Sequence, residues 1–219
     1  MKRRIQVAVM ICFVLFPAAA TRAENLSFDE VSPGIHGSVS SQGFVVATDL
    51  AFFVASDQPT FCSPECPFNG SPYLLSQNGI NPIVLSHADS VPFHLFAFDY
   101  GEQHVGFSQS ASSVQVTGLL ASGGSVVASF LMDGINDGSG PLNDFQLALL
   151  PDGFRNLDSV SFVGIGGPTS DRYSLDNIVV VAIPEPSTGL LVAEGFLGLA
   201  LFRRRPFLSC CCPGPASGS

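Results

Sequence analysis

The chain of 219 residues has no tryptophan, three tyrosines and only nine lysines and arginines. Basic charge is nearly confined to the ends: Lys2, Arg3, Arg4 and Arg22, then Arg203, Arg204 and Arg205, leave only Arg155 and Arg172 between residues 24 and 183. That middle stretch carries sixteen acids, so its formal charge is 2 − 16 = −14. A surface so acidic repels phosphate backbones and anionic headgroups, which argues against nucleic acid as a partner and against peripheral membrane binding by this part. No apolar run reaches the roughly 20 residues of a comfortable membrane span. A Gly-x-Ser-x-Gly elbow and a phosphate-binding loop are also missing. Gly164-Ile165-Gly166-Gly167-Pro168 is a turn rather than a nucleotide fingerprint, because proline follows and no helical pattern does. No enzymatic activity is expected.

Two shorter apolar runs do stand at the ends. Residues 1 to 23 combine Lys2-Arg3-Arg4, an apolar run from Ile5 to Phe16 and the small-residue stretch Pro17 to Ala23. This is the layout of a secretory signal peptide, with cleavage expected after Ala23 or Ala20. Signal peptidase and the secretion machinery are the partners it implies. At the other end, Pro184-Glu185-Pro186 stops the last strand, since proline lacks the ladder donor. An apolar segment, Gly189 to Phe202, interrupted by Glu194, follows and ends in Arg203-Arg204-Arg205. The arginines favour the cytoplasmic face. Residues 206–219, with Cys210-Cys211-Cys212, carry no assigned function.

The order Pro-Glu-Pro, short apolar helix, arginine cluster, on a chain with a signal peptide, resembles the PEP-CTERM sorting signal of Gram-negative bacteria. Pro184, Glu185 and Pro186 match its motif, and Arg203, Arg204 and Arg205 its basic end. The resemblance implies recognition by an exosortase-type membrane protease, with transient inner-membrane anchoring before arrival at the cell surface or outside the cell.

Residues 24–183 hold 14 of the 19 phenylalanines, enough aromatic content to build a core. Apolar residues alternate with polar ones, as in Ser113-Val114-Gln115-Val116-Thr117, and no long stripe of helical period appears. Strands are expected at Leu26–Val31, Gly43–Ala47, Ala51–Ala55, Pro92–Phe98, Val105–Ser108, Ser113–Leu119, Ser125–Met132, Phe145–Leu150, Ser159–Val163 and Tyr173–Ile183. Short strands separated by Gly, Pro, Asn and Asp predict an all-β domain, a β-sandwich with jelly-roll topology. Phe28-Asp29, Gly43-Phe44, Gly123-Gly124-Ser125-Val126-Val127, Leu157 to Phe162 and Leu175-Asp176-Asn177-Ile178 are similar, in that order, to the domain of many PEP-CTERM proteins. That resemblance implies a sandwich like those of carbohydrate-binding modules, whose common role is attachment.

Five sets of residues invite chemistry. Cys62 and Cys66, with three residues between them in a loop, are expected to form a disulfide after export, since an oxidising compartment favours the bridge. By resemblance to jelly-roll modules, a structural calcium would join the first strand to the last through Asp29 or Glu30 and Asp176. The alternative is that Asp176-Asn177 bonds its own backbone. Asp133-Gly134-Ile135-Asn136-Asp137-Gly138, with Asp144, half-resembles a calcium loop, but Ile135 occupies an oxygen position; a hairpin turn between Ser125–Met132 and Phe145–Leu150 is expected instead. The histidines His36, His87, His94 and His104 fit no metal spacing, and His94 is expected on the face opposite Phe93 and Leu95. Sugars stack on exposed Trp or Tyr, which leaves Tyr73 and Tyr100 as the candidate ligand-binding residues among Tyr73, Tyr100 and Tyr173. The expected function is therefore that of an exported, non-catalytic surface or matrix protein. A carbohydrate-binding role toward extracellular polysaccharide is the alternative.

Overall fold

Valine, phenylalanine, serine and threonine at alternating positions suit a pleated chain with one face buried, and among the described residues eleven strands form where they recur. The computed structural model describes residues 22–55, 67, 70–77, 81–103, 110–134, 145–167 and 171–183. The chain divides after Ile183. The expected signal peptide, the expected sorting segment with its apolar run, and the tail with Cys210-Cys211-Cys212 lie outside the described residues. So do the Cys62–Cys66 pair, His104 and the expected strand Val105–Ser108.

The strands are β1 Glu24–Leu26, β2 Gly34–Ser41, β3 Phe44–Ala55, β4 Tyr73–Ser76, β5 Ile83–His87, β6 Phe93–Glu102, β7 Ser113–Leu120, β8 Ser125–Leu131, β9 Gln146–Leu149, β10 Leu157–Ile165 and β11 Tyr173–Ala182. No helix occurs among the described residues. All strand pairings are antiparallel and follow the order β8-β7-β10-β5-β3-β4-β11-β6-β9, with β2 beside β3 and β1 beside β11. A further pairing, Leu157 with Phe93, links β10 to β6, so the sheet folds back on itself around one core.

Strand β3 makes the corner. Its first residues, Phe44–Ala47, pair with β5, and its last, Phe52–Ala55, pair with β4. The two expected strands Gly43–Ala47 and Ala51–Ala55 are thus one strand serving two halves. The expected strand Leu26–Val31 ends instead at Leu26: the chain turns at Asp29 and Glu30, where the Val31 N–H donates to the Phe28 carbonyl at 2.9 Å. Strands β2, β4 and β5 lie outside the expected set.

The expected hairpin around Asp133-Gly134 does not form. β8 pairs with β7 and β9 with β6, at opposite ends of the strand order. The Gly134 N–H donates instead to Glu102 Oε1 at 2.9 Å.

The core is aromatic. Phe98 packs edge-on to Phe162 and Phe130, with centroids 5.1 and 5.4 Å away, joining β6 to β10 and β8. Phe28, Phe44, Phe52, Phe93, Phe154 and Tyr173 are fully buried around it. The Tyr173 hydroxyl donates to the Phe162 carbonyl at 2.7 Å, satisfying a polar group that burial would otherwise strand.

Candidate functional site

Inward residues of β7, β10, β5 and β3 are buried, and this fixes which residues face out, because successive side chains alternate. The registers align the outward residues into rows. One row runs Val127, Thr117, Ser161, Val84, Ala47, Ser38 across β8, β7, β10, β5, β3 and β2. The next runs Ser125, Leu119, Ser159, Ser86, Val45, Ser40. No residue of either row is buried, and none is charged. Six strands at the usual spacing give a platform about 24 Å across. A domain of formal charge −14 therefore presents one broad neutral face, whose polar groups are hydroxyls. Hydroxyls both donate and accept, so such a face matches a neutral, hydroxyl-rich partner better than an ionic one.

The residues singled out for chemistry fall elsewhere. Asp29 and Glu30 are exposed and line a groove with Ser27, Val31, Ser40, Ser41 and Gln42. Asp176 is fully buried and accepts from the Ser71 hydroxyl at 2.9 Å. Among the described residues no three His, Cys, Asp or Glu side chains come together as a metal site would require. The expected calcium set Asp29, Glu30 and Asp176 is thus not assembled. The join it was to make exists nonetheless: β1 pairs with β11, Asn25 with Val179 and Leu26 with Ile178. Side chains reinforce it. Asn25 Nδ2 donates to Asn177 Oδ1 at 3.2 Å, and Asn177 Nδ2 donates to Asp99 Oδ2 at 2.8 Å. Asn177 adopts φ 47°, a left-handed conformation that asparagine tolerates, at a register shift in β11. Asparagine side chains thus link the first strand to the last.

Tyr73 and Tyr100 are not sugar platforms. Tyr73 is 1% exposed and packs edge-on to Phe145 at 5.3 Å. Tyr100 is 6% exposed, and its hydroxyl donates to the Leu131 carbonyl at 2.8 Å, so the polar edge that marked it as a ligand group serves the fold. Burial, then the carboxylates of Glu102 and Asp133, raise its pKa.

The histidines are dispersed. His36 bonds to the Ser32 carbonyl, and His87 packs edge-on to Phe44 at 4.9 Å. His94 lies opposite the buried Phe93 and Leu95, as expected, but is only half-exposed. Its Nδ1 accepts the Asn156 N–H at 3.0 Å. Desolvation, then the charge of Arg155, lowers its pKa below 6.5, which keeps that nitrogen an acceptor near neutrality. Beside it lies a contact that sequence alone did not show: Arg155 stacks over Phe96 at 4.7 Å and pairs with Asp152 at 2.9 Å. One face of the Phe96 ring is thereby covered.

No protein-family model and no curated protein sequence matches the chain. Among solved structures it is similar to CBM29_1, a family 29 carbohydrate-binding module from Piromyces equi, at 12% identity over 77% of this chain and 95% of that one, with a TM-score of 0.40. It is also similar to the K2 cleaved adhesin domain of Lys-gingipain, at 13% identity over 74% and 98% of the two chains, with a TM-score of 0.41. The family 11 carbohydrate-binding module of the cellulase Lic26A-Cel5E of Clostridium thermocellum is similar at 13% identity over 77% and 99%, with a TM-score of 0.35.

Proposed function

We propose that this is an exported cell-surface or extracellular-matrix protein in which residues 24–183 form a non-catalytic contact domain, a sandwich of jelly-roll type. Signal peptidase removes the leader, and an exosortase-type protease acts on the segment from Pro184 to Arg205 after transient inner-membrane anchoring. The observation that carries the contact role is the neutral outer face across β8, β7, β10, β5, β3 and β2, set in a domain otherwise dense in carboxylates. Mass spectrometry of the mature protein tests the sorting. Its N-terminus is expected at Glu24 or at Thr21, and a C-terminus still containing Arg203 to Ser219 would overturn the processing.

A second reading gives this face a ligand, neutral extracellular polysaccharide. The serine and threonine hydroxyls of the two rows favour it, because they can exchange hydrogen bonds with sugar hydroxyls. Retention on a panel of neutral and anionic polysaccharides tests it. Binding to neutral glycans, lost in Ser161→Arg, is expected; retention that survives this change would place the glycan elsewhere.

A further inference from the structure

We infer that β8 is a self-pairing edge, through which two copies of the chain join antiparallel into one continuous sheet. Among the described residues β8 pairs only with β7, and its register is unbroken from Ser125 to Leu131. Edge strands are ordinarily blunted by lysine, proline, a bulge or an inward charge. β8 has none of these, and no charged residue occurs from Val105 to Met132. The Met132 N–H donates to the Ser112 carbonyl on the β7 side at 3.0 Å. Alternation along the ladder therefore turns the N–H and C=O groups of Ser125, Val127, Ser129 and Leu131 away from β7, the Leu131 carbonyl keeping one lone pair beside the bond it accepts from Tyr100. Their side chains are exposed, Val127 by 54% and Leu131 by 77%. The inward residues Val126, Ala128 and Phe130 pack against the core but stay only half-buried, as expected where no described strand lies beyond them.

The occupant follows from the strand's own pattern. Antiparallel pairing about Ala128 sets Ser125 opposite Leu131, Val126 opposite Phe130 and Val127 opposite Ser129. Each pair keeps inward residues inward, so the apolar layer continues from one copy to the next and no like charges meet. At this edge two copies of an acidic domain meet without opposing carboxylates. A basic partner would find no carboxylate on this strand. Of the other edges, β9 is only four residues long and lies between Asp144 and Asp152, and β2 is broken by a register shift between His36 and Ser38, which makes both poorer edges.

Sedimentation equilibrium of the mature protein between about 1 and about 100 µM tests the inference. A monomer–dimer equilibrium is expected. Val127→Pro removes only an outward donor, so it should weaken the dimer by about tenfold or more while leaving the melting temperature near that of the parent. Should that variant not fold, Val127→Lys, on the exposed face, gives the same readout. Ala128→Cys should oxidise to a disulfide-linked dimer, its cross-link located at position 128 of both copies by peptide mass, since directly opposed residues at a non-hydrogen-bonded pair lie about 4.5 Å apart. A parent monomeric throughout the range, or a dimer that survives in folded Val127→Pro or Val127→Lys, overturns the inference.

Discussion

Strands β7, β10 and β5 bury every second residue and leave the others accessible, whereas β4 and the first four residues of β11 are buried on both faces. In the first region polar side chains meet solvent and form the neutral platform. In the second they are enclosed and must find partners in the protein. Ser76 Oγ accepts the Tyr173 N–H at 2.9 Å, Ser71 donates to Asp176, and Asn177 bridges Asn25 to Asp99. Serine is therefore a solvent-facing group on one half and an internal fastener on the other. Context, not residue type, decides which.

The largest effect should come from breaking the seam between the halves. Phe98 is fully buried against rings from β8 and β10, so Phe98→Ala should lower unfolding free energy by about 3–5 kcal/mol in denaturant titration. Tyr173→Phe removes the hydroxyl bond from β11 to β10 and should cost about 1–2 kcal/mol. It should also change the alkaline limb. Burial raises the Tyr173 pKa far above its ordinary 10, so above pH 10 the unfolded chain holds fewer protons than the folded one. Stability then falls as pH rises, by about 1.4 kcal/mol per pH unit for this group, and the variant should lose that share of the slope. Tyr100, also raised, would supply what slope remains.

Smaller effects sharpen the contrast. At Asn177 the left-handed backbone makes Asn177→Ala more damaging than Asn177→Gly by about 1 kcal/mol, although both remove the bridge. Calcium and chelator should give superimposable melting curves, because hydrogen bonds make the first-to-last join. A calcium-dependent rise would restore a metal to that end of the domain. On the platform, Ser161→Arg should alter stability by no more than about 0.5 kcal/mol, since it disturbs no buried group.

The two regions differ in how far their sequences betray them. Val114 and Val116 against Gln115 and Thr117 announce β7 because one face meets water. Tyr73-Leu74-Leu75-Ser76 shows no alternation because both faces of β4 are buried, and periodicity is blind to such a strand. β2 misleads in another way, with Ile35 64% exposed while Val39 turns inward. Thr48-Asp49 interrupts the apolar pattern of β3 and mimics a turn, although the strand continues. Asp176-Asn177 stands out as a polar pair in the last strand, but Asn25 as its partner could not be read from spacing. Tyr73 follows Asn69-Gly70-Ser71-Pro72, a surface-like context, yet its ring turns under Phe145. The neutral platform needed the registers of five strand pairings, because its residues are scattered from Ser38 to Ser161.

The join between β1 and β11 also sets the timing of folding. Asn25 and Asn177 are 152 residues apart, so the first strand to appear in a chain delivered from its N-terminus has no neighbour until the last is present. The long β3 likewise waits for β4 and β5 to arrive on its two halves. Closure of the domain thereby waits for its last strand, so no early stretch of the chain can complete the core alone.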